Sequence, residues 1–80
     1  MSKHEIKIPK MGQSTVEVDL INWLVEEGQR VAAGAILAEI ESEKATVEIE
    51  SDVAGTVSEI RVRAGDTTEV GATICVIDTD

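Results

Sequence analysis

The stretch ILAEIESEKATVEIES, residues 36–51, predicts two β-strands joined by a two-residue loop at Glu43 and Lys44. With this loop, the strands pair Ser42 with Ala45, Glu41 with Thr46, Ile40 with Val47, Glu39 with Glu48 and Ala38 with Ile49. Because side chains alternate between the two faces of a strand, apolar residues meet on one face and polar residues on the other. A register shifted by one residue loses this match, so the pattern predicts one specific hairpin.

The loop of this hairpin has unfavourable turn chemistry. Two-residue hairpin loops favour Asn-Gly or Asp-Gly because the primed turns that fit the strand twist need positive φ. Glu43-Lys44 offers neither, which suggests that a requirement other than turn energetics selected it. A lysine at a hairpin tip can be an ordinary solvated residue, but its flexible stem and nucleophilic amine also suit covalent attachment of a group.

Length and charge exclude several classes of function. Eighty residues form one small domain, predicted to span residues 1–80, and an enzyme with a deep pocket is not expected at this size. Trp23 is the only Phe, Tyr or Trp residue, so the chain has no aromatic platform for base stacking. The net charge of −9 opposes binding to nucleic acid or an anionic membrane and favours basic protein surfaces.

The remaining reactive residues predict neither a catalytic nor a metal site. Cys75 lies in the strand-like run TICVID and is expected in the core, and His4 lies in a terminal segment that is expected to fray. Glu39, Glu41 and Glu48 are expected to form a solvated acidic face. With no signal peptide or membrane-span pattern, we expect a cytoplasmic location, or the mitochondrial matrix if a transit peptide was removed.

An internal repeat organises the chain. VEEGQRVAAGAILAEIE, residues 25–41, aligns with VRAGDTTEVGATICVID, residues 62–78, at an offset of 37 residues. The aligned pairs include Gly28 with Gly65, Gly34 with Gly71, Trp23 with Ile60, Leu20 with Val57 and Ser14 with Ser51. Short glycine-punctuated strands without helical periodicity predict an all-β fold: a flattened barrel or sandwich of two similar antiparallel sheets, in which the two halves bury their apolar faces against each other.

The segment ESEKATVEI resembles the attachment motif of lipoyl domains from the acyltransferase components of 2-oxo acid dehydrogenase complexes. The resemblance extends from IPKMGQS through EEGQRVAAG to AGTV and GATICVID, and it includes Gly28 and Gly55 at the family's spacing from Lys44. It implies lipoic acid in amide linkage to Lys44, with Glu43, Ala45 and Thr46 recognised by the enzymes that act there. Glu43 replaces the usual Asp. In the segment GQSTVEV, which forms a surface loop in relatives and helps to identify the decarboxylase partner, Gln13 and Val18 also depart from the family pattern.

The resemblance also implies a mechanism and a set of partners. A lipoate ligase or lipoyltransferase would modify Lys44, and a thiamine diphosphate-dependent 2-oxo acid decarboxylase would pass an acyl group and two electrons to the lipoyl ring. An acyltransferase domain would move the acyl group to coenzyme A, and dihydrolipoyl dehydrogenase would reoxidise the ring. The domain itself would be a non-catalytic, monomeric carrier. Alternatives are a biotin carrier domain, whose lysine is typically flanked by methionines, an unmodified interaction module and a glycine-cleavage carrier, a longer protein.

Overall fold

Alternating apolar and polar residues form eight short β-strands in the computed structural model, which describes residues 2–10, 17–43 and 45–79. The strands are β1 (Ser2–Lys7), β2 (Glu17–Trp23), β3 (Arg30–Val31), β4 (Ile36–Glu41), β5 (Thr46–Glu50), β6 (Gly55–Ile60), β7 (Thr67–Glu69) and β8 (Thr73–Thr79). The described part of the chain contains no helix, and therefore none long and apolar enough to cross a membrane.

The strands form two antiparallel sheets of four strands each. The first sheet has the order β1-β8-β6-β3 and the second has the order β5-β4-β2-β7. The two orders are equivalent when β1 to β4 are exchanged for β5 to β8, so the predicted two-fold repeat is confirmed. The architecture is a flattened sandwich of two sheets, and not a closed barrel.

Each sheet combines strands from both halves of the repeat. The first sheet takes β1 and β3 from the first half and β6 and β8 from the second, and the other sheet takes the remaining four. The expected packing of one half against the other is therefore corrected to an intertwined arrangement. The two halves share main-chain hydrogen bonds, and neither half forms a complete four-stranded sheet by itself.

Turn hydrogen bonds follow the same symmetry. Gly28 N–H donates to the Val57 carbonyl at 2.7 Å, and Gly65 N–H donates to the Leu20 carbonyl at 2.7 Å. Both glycines have positive φ, 90° and 95°, as expected for turn positions that disfavour a Cβ atom. The offset of 37 residues therefore describes real structural equivalence over this part of the chain.

The offset changes at the first strand. Gly34 N–H donates to the Ser51 carbonyl, and the equivalent Gly71 N–H donates to the carbonyl of Ile8. Ile8 thus occupies the position related to Ser51, and the alignment of Ser51 with Ser14 is wrong. The connection between β1 and β2 is longer than that between β5 and β6, and Ser14 lies in that connection, outside the described residues.

The core fills the space between the sheets with aliphatic side chains and one thiol. Its fully buried members include Leu20, Leu37, Ala38, Ile40, Ile74, Cys75 and Ile77. Trp23 packs against this core from a half-buried position, and its indole N–H donates to the Val62 carbonyl at 2.7 Å. The predicted core position of Cys75 is therefore confirmed.

The N-terminal segment is a strand, contrary to the expected fraying. β1 pairs with β8 from Ser2, opposite Thr79, onward, and His4 lies opposite Ile77. His4 Nε2 also lies 2.8 Å from the Asp52 carboxylate, which follows β5 of the second sheet. The first strand is thus held by main-chain pairing and by a side-chain contact to the other half.

Candidate functional site

The predicted hairpin forms with the predicted register. In β4 and β5, Glu41 lies opposite Thr46, Ile40 opposite Val47, Glu39 opposite Glu48, and Ala38 opposite Ile49. Ala38, Ile40 and Ile49 are buried and Val47 is half-buried, whereas Glu41, Thr46 and Glu48 are exposed. The apolar face of the hairpin therefore belongs to the core, and this packing supports the strands up to the loop.

The loop at residues 43 and 44 is closed by its flanking residues. Ser42 N–H donates to the Ala45 carbonyl at 2.8 Å. The Ser42 hydroxyl lies 3.3 Å from the Ala45 carbonyl oxygen and 3.3 Å from the Ala45 amide nitrogen, so the side chain reinforces the same closure. Among the described residues, no residue other than glycine has positive φ. Glu43 therefore does not open the loop as a primed turn.

The structure brings together three of the four predicted site residues. Glu43 and Ala45 flank the second loop position, Thr46 begins β5, and all three are exposed. Lys44, the predicted attachment residue, lies outside the described residues. Its two neighbours, Glu43 and Ala45, are exposed to solvent, and the Ser42–Ala45 hydrogen bond holds the two sides of the loop together.

The surroundings of the loop are acidic. Asp19 of β2 pairs with Glu41, and both side chains are exposed near the loop end of the second sheet. Asp19 also accepts a hydrogen bond from the Thr67 hydroxyl at 2.8 Å, which fixes its carboxylate. Together with Glu43, these carboxylates produce a negative potential that attracts basic protein surfaces.

The structure describes only residues 17 and 18 of the segment GQSTVEV, which was predicted to help the decarboxylase recognise this domain. Gln13 lies outside the described residues. Val18 is 2% exposed within β2, opposite Thr68 of β7, so it belongs to the core and not to a surface loop. The aliphatic side chain at position 18 is therefore explained by packing between the sheets.

The thiol of Cys75 cannot compete with an amine at position 44 as an attachment site. Cys75 is fully buried, and desolvation raises the pKa of its thiol to about 11. The thiol is therefore protonated at neutral pH and inaccessible to a substrate. Within the described ranges, no group of three or more His, Cys, Asp or Glu side chains is placed to hold a metal ion.

Sequence reasoning missed two surface residues. Ile21 of β2 and Leu24, which directly follows β2, are 43% and 46% exposed, the large apolar side chains most exposed in the described part of the chain. The repeat alignment contained the signal that could have identified them. At an offset of 37 residues, Ile21 corresponds to Ser58 and Leu24 to Arg61, so the apolar character is present in one half alone.

The relatives of this chain include acyltransferase components of 2-oxo acid dehydrogenase complexes. The chain is 37% identical over 73 residues to the dihydrolipoyllysine-residue succinyltransferase component of the 2-oxoglutarate dehydrogenase complex from Staphylococcus saprophyticus. It is 39% identical over 74 residues to the corresponding component from Bartonella vinsonii. A third relative, 36% identical over 74 residues, is the acetyltransferase component of the pyruvate dehydrogenase complex from Staphylococcus aureus.

These matches cover most of this chain and a small part of each relative. They include 91% of this chain and 17% of the S. saprophyticus protein, 92% and 18% for the B. vinsonii protein, and 92% and 17% for the S. aureus protein. The chain therefore corresponds to one domain-sized segment of much longer acyltransferase components.

Solved structures show the same fold. The lipoyl domain of the 2-oxoglutarate dehydrogenase complex from Azotobacter vinelandii superimposes with a TM-score of 0.76 at 23% identity, covering 95% of this chain and 98% of that domain. Urea carboxylase from Kluyveromyces lactis gives a TM-score of 0.63 at 23% identity, over 94% of this chain and 7% of that enzyme. At these identities the superpositions establish the fold alone.

The family assignment follows from the extent of the family match. The profile of the biotin–lipoyl family, described as "Biotin-requiring enzyme", matches residues 4–77. The match includes all eight strands in whole or in part, together with the hairpin whose loop is residues 43 and 44. This chain therefore belongs to the biotin–lipoyl family.

Proposed function

We propose that this chain is a lipoyl carrier domain of a 2-oxo acid dehydrogenase acyltransferase and that lipoic acid is attached by an amide to Lys44. The observation that carries the proposal is the β4–β5 hairpin. Its register and its Ser42–Ala45 closure leave a two-residue loop of which Lys44 is the second residue. The acyltransferase components among its relatives support the choice of complex.

The residues around position 44 fit such a group. Glu43, Ala45 and Thr46 are exposed, and none of the three lines either of two shallow cavities, one on the first sheet and one between β1 and the Glu48–Glu50 part of β5. A group attached here would thus be presented to other proteins and not enclosed. When bound, the lipoyl group supplies a disulfide that accepts an acyl group together with two electrons.

The chain's own residues would position this group and make it recognisable. The buried face of β4 and β5 fixes the direction of the hairpin, and the Ser42 closure fixes the ends of the loop. Tethering at a defined point raises the effective concentration of the group at each partner active site. We propose no catalytic role for any residue of this chain.

The proposed partners are the enzymes that would attach the lipoyl group, load it, unload it and reoxidise it. A lipoate ligase or lipoyltransferase would modify Lys44, and a thiamine diphosphate-dependent 2-oxo acid decarboxylase would load the group. An acyltransferase domain would unload it, and dihydrolipoyl dehydrogenase would restore the disulfide. The exposed carboxylates near the loop would attract basic entrances of these enzymes.

Intact mass spectrometry tests the attachment. The wild-type domain, expressed with lipoic acid and a lipoate ligase, should gain the mass of one lipoyl amide, and Lys44→Arg should gain none because an arginine cannot form that amide. Lys7→Arg, on the first sheet, is the matched control and should be modified like the wild type. A lipoyl increment on Lys44→Arg would contradict the assignment.

Two further outcomes separate the alternatives. Expression with both biotin and lipoic acid, each with its ligase, should still yield the lipoyl increment, because Glu43 and Ala45 stand where biotin domains typically have methionines. A biotin increment would make this a carboxylase carrier. The absence of both increments would favour an unmodified interaction module.

A further inference from the structure

The two-fold repeat places a hydroxyl side chain at the same position in each sheet. Ser42 directly follows β4, and Thr79, at the offset of 37 residues, ends β8. The residue opposite Ser42 is Ala45, and the residue opposite Thr79 is Ser2. Both hydroxyl residues are half-buried, whereas Ala45 and Ser2 are exposed. Positions 42 and 79 are therefore equivalent places at the ends of their strand pairs.

Both hydroxyls bond to the main chain of the opposite strand. The Ser42 hydroxyl donates to the Ala45 carbonyl and accepts from the Ala45 N–H, each at 3.3 Å. The Thr79 hydroxyl donates to the Ser2 carbonyl at 2.9 Å. Ser2 and Thr79 are 77 positions apart, so the bond in the first sheet forms without a short loop between its partners. The hydroxyl-to-carbonyl bond thus belongs to the strand ends and is not a by-product of the turn at residues 43 and 44.

The loop between Ser42 and Ala45 has little intrinsic preference for closure. Glu43 does not have the positive φ that primed two-residue turns require at their first position. Neither Glu43 nor Lys44 is a residue type that favours such turns. The main-chain N–H and the hydroxyl of Ser42 therefore hold the strand ends together where the loop sequence does not. The hydroxyl bonds are the part of this closure that a side-chain substitution can remove.

We infer that Ser42 is a positioning residue for Lys44: its hydroxyl, bonded to the Ala45 main chain, keeps residues 43 and 44 in the loop geometry that the lipoate ligase accepts. This inference rests on the proposed function. In the attachment step the Lys44 amine bonds to the carboxyl carbon of a mixed anhydride of lipoate, the activating group leaves with its bonding electrons, and the amine gives a proton to a base of the ligase. Ser42 takes no part in these bond changes.

The flexibility of a lysine side chain explains why the main chain beneath it must be fixed. Four rotatable carbons separate the amine from the backbone, so the direction of the loop is the part of the attachment residue that the domain itself can hold. If the ligase binds the closed loop, its apparent dissociation constant rises as the closed fraction falls. Loss of two partly exposed hydrogen bonds lowers that fraction several-fold at most. Once bound, every loop is closed, so the loss is expected in KM and not in kcat.

Two variants that differ by one group test the inference. Ser42→Thr keeps a hydroxyl, and Thr79 shows that a threonine can make this bond. Ser42→Val replaces that hydroxyl with a methyl group and is β-branched in the same way. Time-resolved intact mass spectrometry with lipoic acid, ATP and purified lipoate ligase measures lipoyl addition over a series of domain concentrations. We expect Ser42→Val to raise the KM for the domain about threefold with kcat nearly unchanged, and Ser42→Thr to stay close to the wild type.

Thr79→Val is the matched control. It removes the equivalent hydroxyl-to-carbonyl bond in the other sheet by the same exchange of groups. Its KM should equal that of the wild type, because the bond that it removes does not close the 43–44 loop. Thermal unfolding should show similar small losses for Thr79→Val and Ser42→Val, so a general loss of stability would affect the KM of both variants alike.

Amide hydrogen exchange tests the contact without the ligase. In the unmodified domain, the Ala45 N–H should exchange about threefold faster in Ser42→Val than in Ser42→Thr, because its acceptor is the hydroxyl at position 42. The Ile49 N–H is the internal reference, since Ile49 lies opposite Ala38 in the same hairpin and should exchange equally in the two variants. Equal exchange of Ala45 in the two variants would overturn the hydroxyl closure.

The outcomes are distinguishable from failure of the proposed function. With a lipoylated wild type, an unchanged KM for Ser42→Val, an equal rise for Thr79→Val, or a rise for Ser42→Thr as large as that for Ser42→Val would overturn the positioning role and leave attachment at Lys44 intact. A fall in kcat at unchanged KM would overturn the selection of a closed loop. Failure of the wild type to become lipoylated would overturn the proposed function and the role of Ser42 in it, whereas the exchange of Ala45 would still decide whether the hydroxyl holds the loop.

Discussion

At the residue scale, Gly55 shows how a small side chain can be required without unusual backbone angles. Four other glycines, Gly28, Gly34, Gly65 and Gly71, have positive φ, which agrees with their expected place in turns. Gly55 does not. A Cβ atom at position 55 would overlap the backbone carbonyl oxygen of Asp78 and lie 2.9 Å from the Ile77 side chain. The equivalent position in the first half is Val18, so this close approach is specific to the second half.

Gly55→Ala should therefore destabilise the domain more than Gly28→Ala. We expect the first change to lower the free energy of unfolding by about 2–3 kcal/mol, because rigid backbone must shift to admit the methyl group. Gly28 has open space around its Cβ position and φ of 90°, so its change should cost about 1 kcal/mol of backbone strain. Urea unfolding measures both values, and an equal or smaller loss for Gly55→Ala would contradict the steric account.

At the scale of elements, the β4–β5 hairpin has a strongly determined register, but it also contains an unfavourable pair of like charges. Its register was predictable because one face is buried, so that any shift would place apolar residues in water. Glu39 and Glu48, however, lie opposite each other on the outer face, and directly opposed like charges weaken a sheet. The hairpin thus keeps a pair of like charges that reduces its stability.

Glu48→Gln should raise the stability of the domain. Removing one of two opposed carboxylates relieves their repulsion, and we expect a gain of about 0.2–1 kcal/mol at low ionic strength. Because salt screens exposed charges, the gain should shrink in 1 M NaCl. Thermal unfolding at both salt concentrations measures the effect, with Glu59→Gln as the control, since Glu59 pairs with Arg61 and its loss should not stabilise. A Glu48→Gln variant that is less stable at low salt would refute the repulsion.

At the scale of the whole molecule, the two-fold repeat makes the ends of the chain structurally equivalent to the two sides of the hairpin loop. Glu41 lies opposite Thr46 in the second sheet, and in the first sheet the equivalent pair is Asp78 with Lys3. Ser2 and Thr79 are likewise opposite each other, so joining residue 80 to residue 1 would create a two-residue loop like that at 43 and 44. Each sheet would then have the same hairpin.

Head-to-tail cyclisation should consequently be tolerated and stabilising. A closed backbone reduces the entropy of the unfolded chain, and by analogy with a cross-link closing a loop of this length we expect a gain of roughly 2–4 kcal/mol. The measurement is the free energy of unfolding of the cyclised domain against the linear chain with the same linkage residues. A cyclised domain with lower stability would show that the ends are not free to adopt the hairpin geometry.

The sequence by itself determined the all-β class, the hairpin register and the repeat of Gly28 and Gly34 in Gly65 and Gly71, because strand alternation and turn glycines act over a few residues. Only the tertiary structure decided that each sheet combines strands from both halves and that Ile8, not Ser14, matches Ser51. It alone placed His4 beside Asp52 and left Ile21 and Leu24 exposed. These features depend on contacts between residues far apart in the chain, whose partners local patterns do not identify.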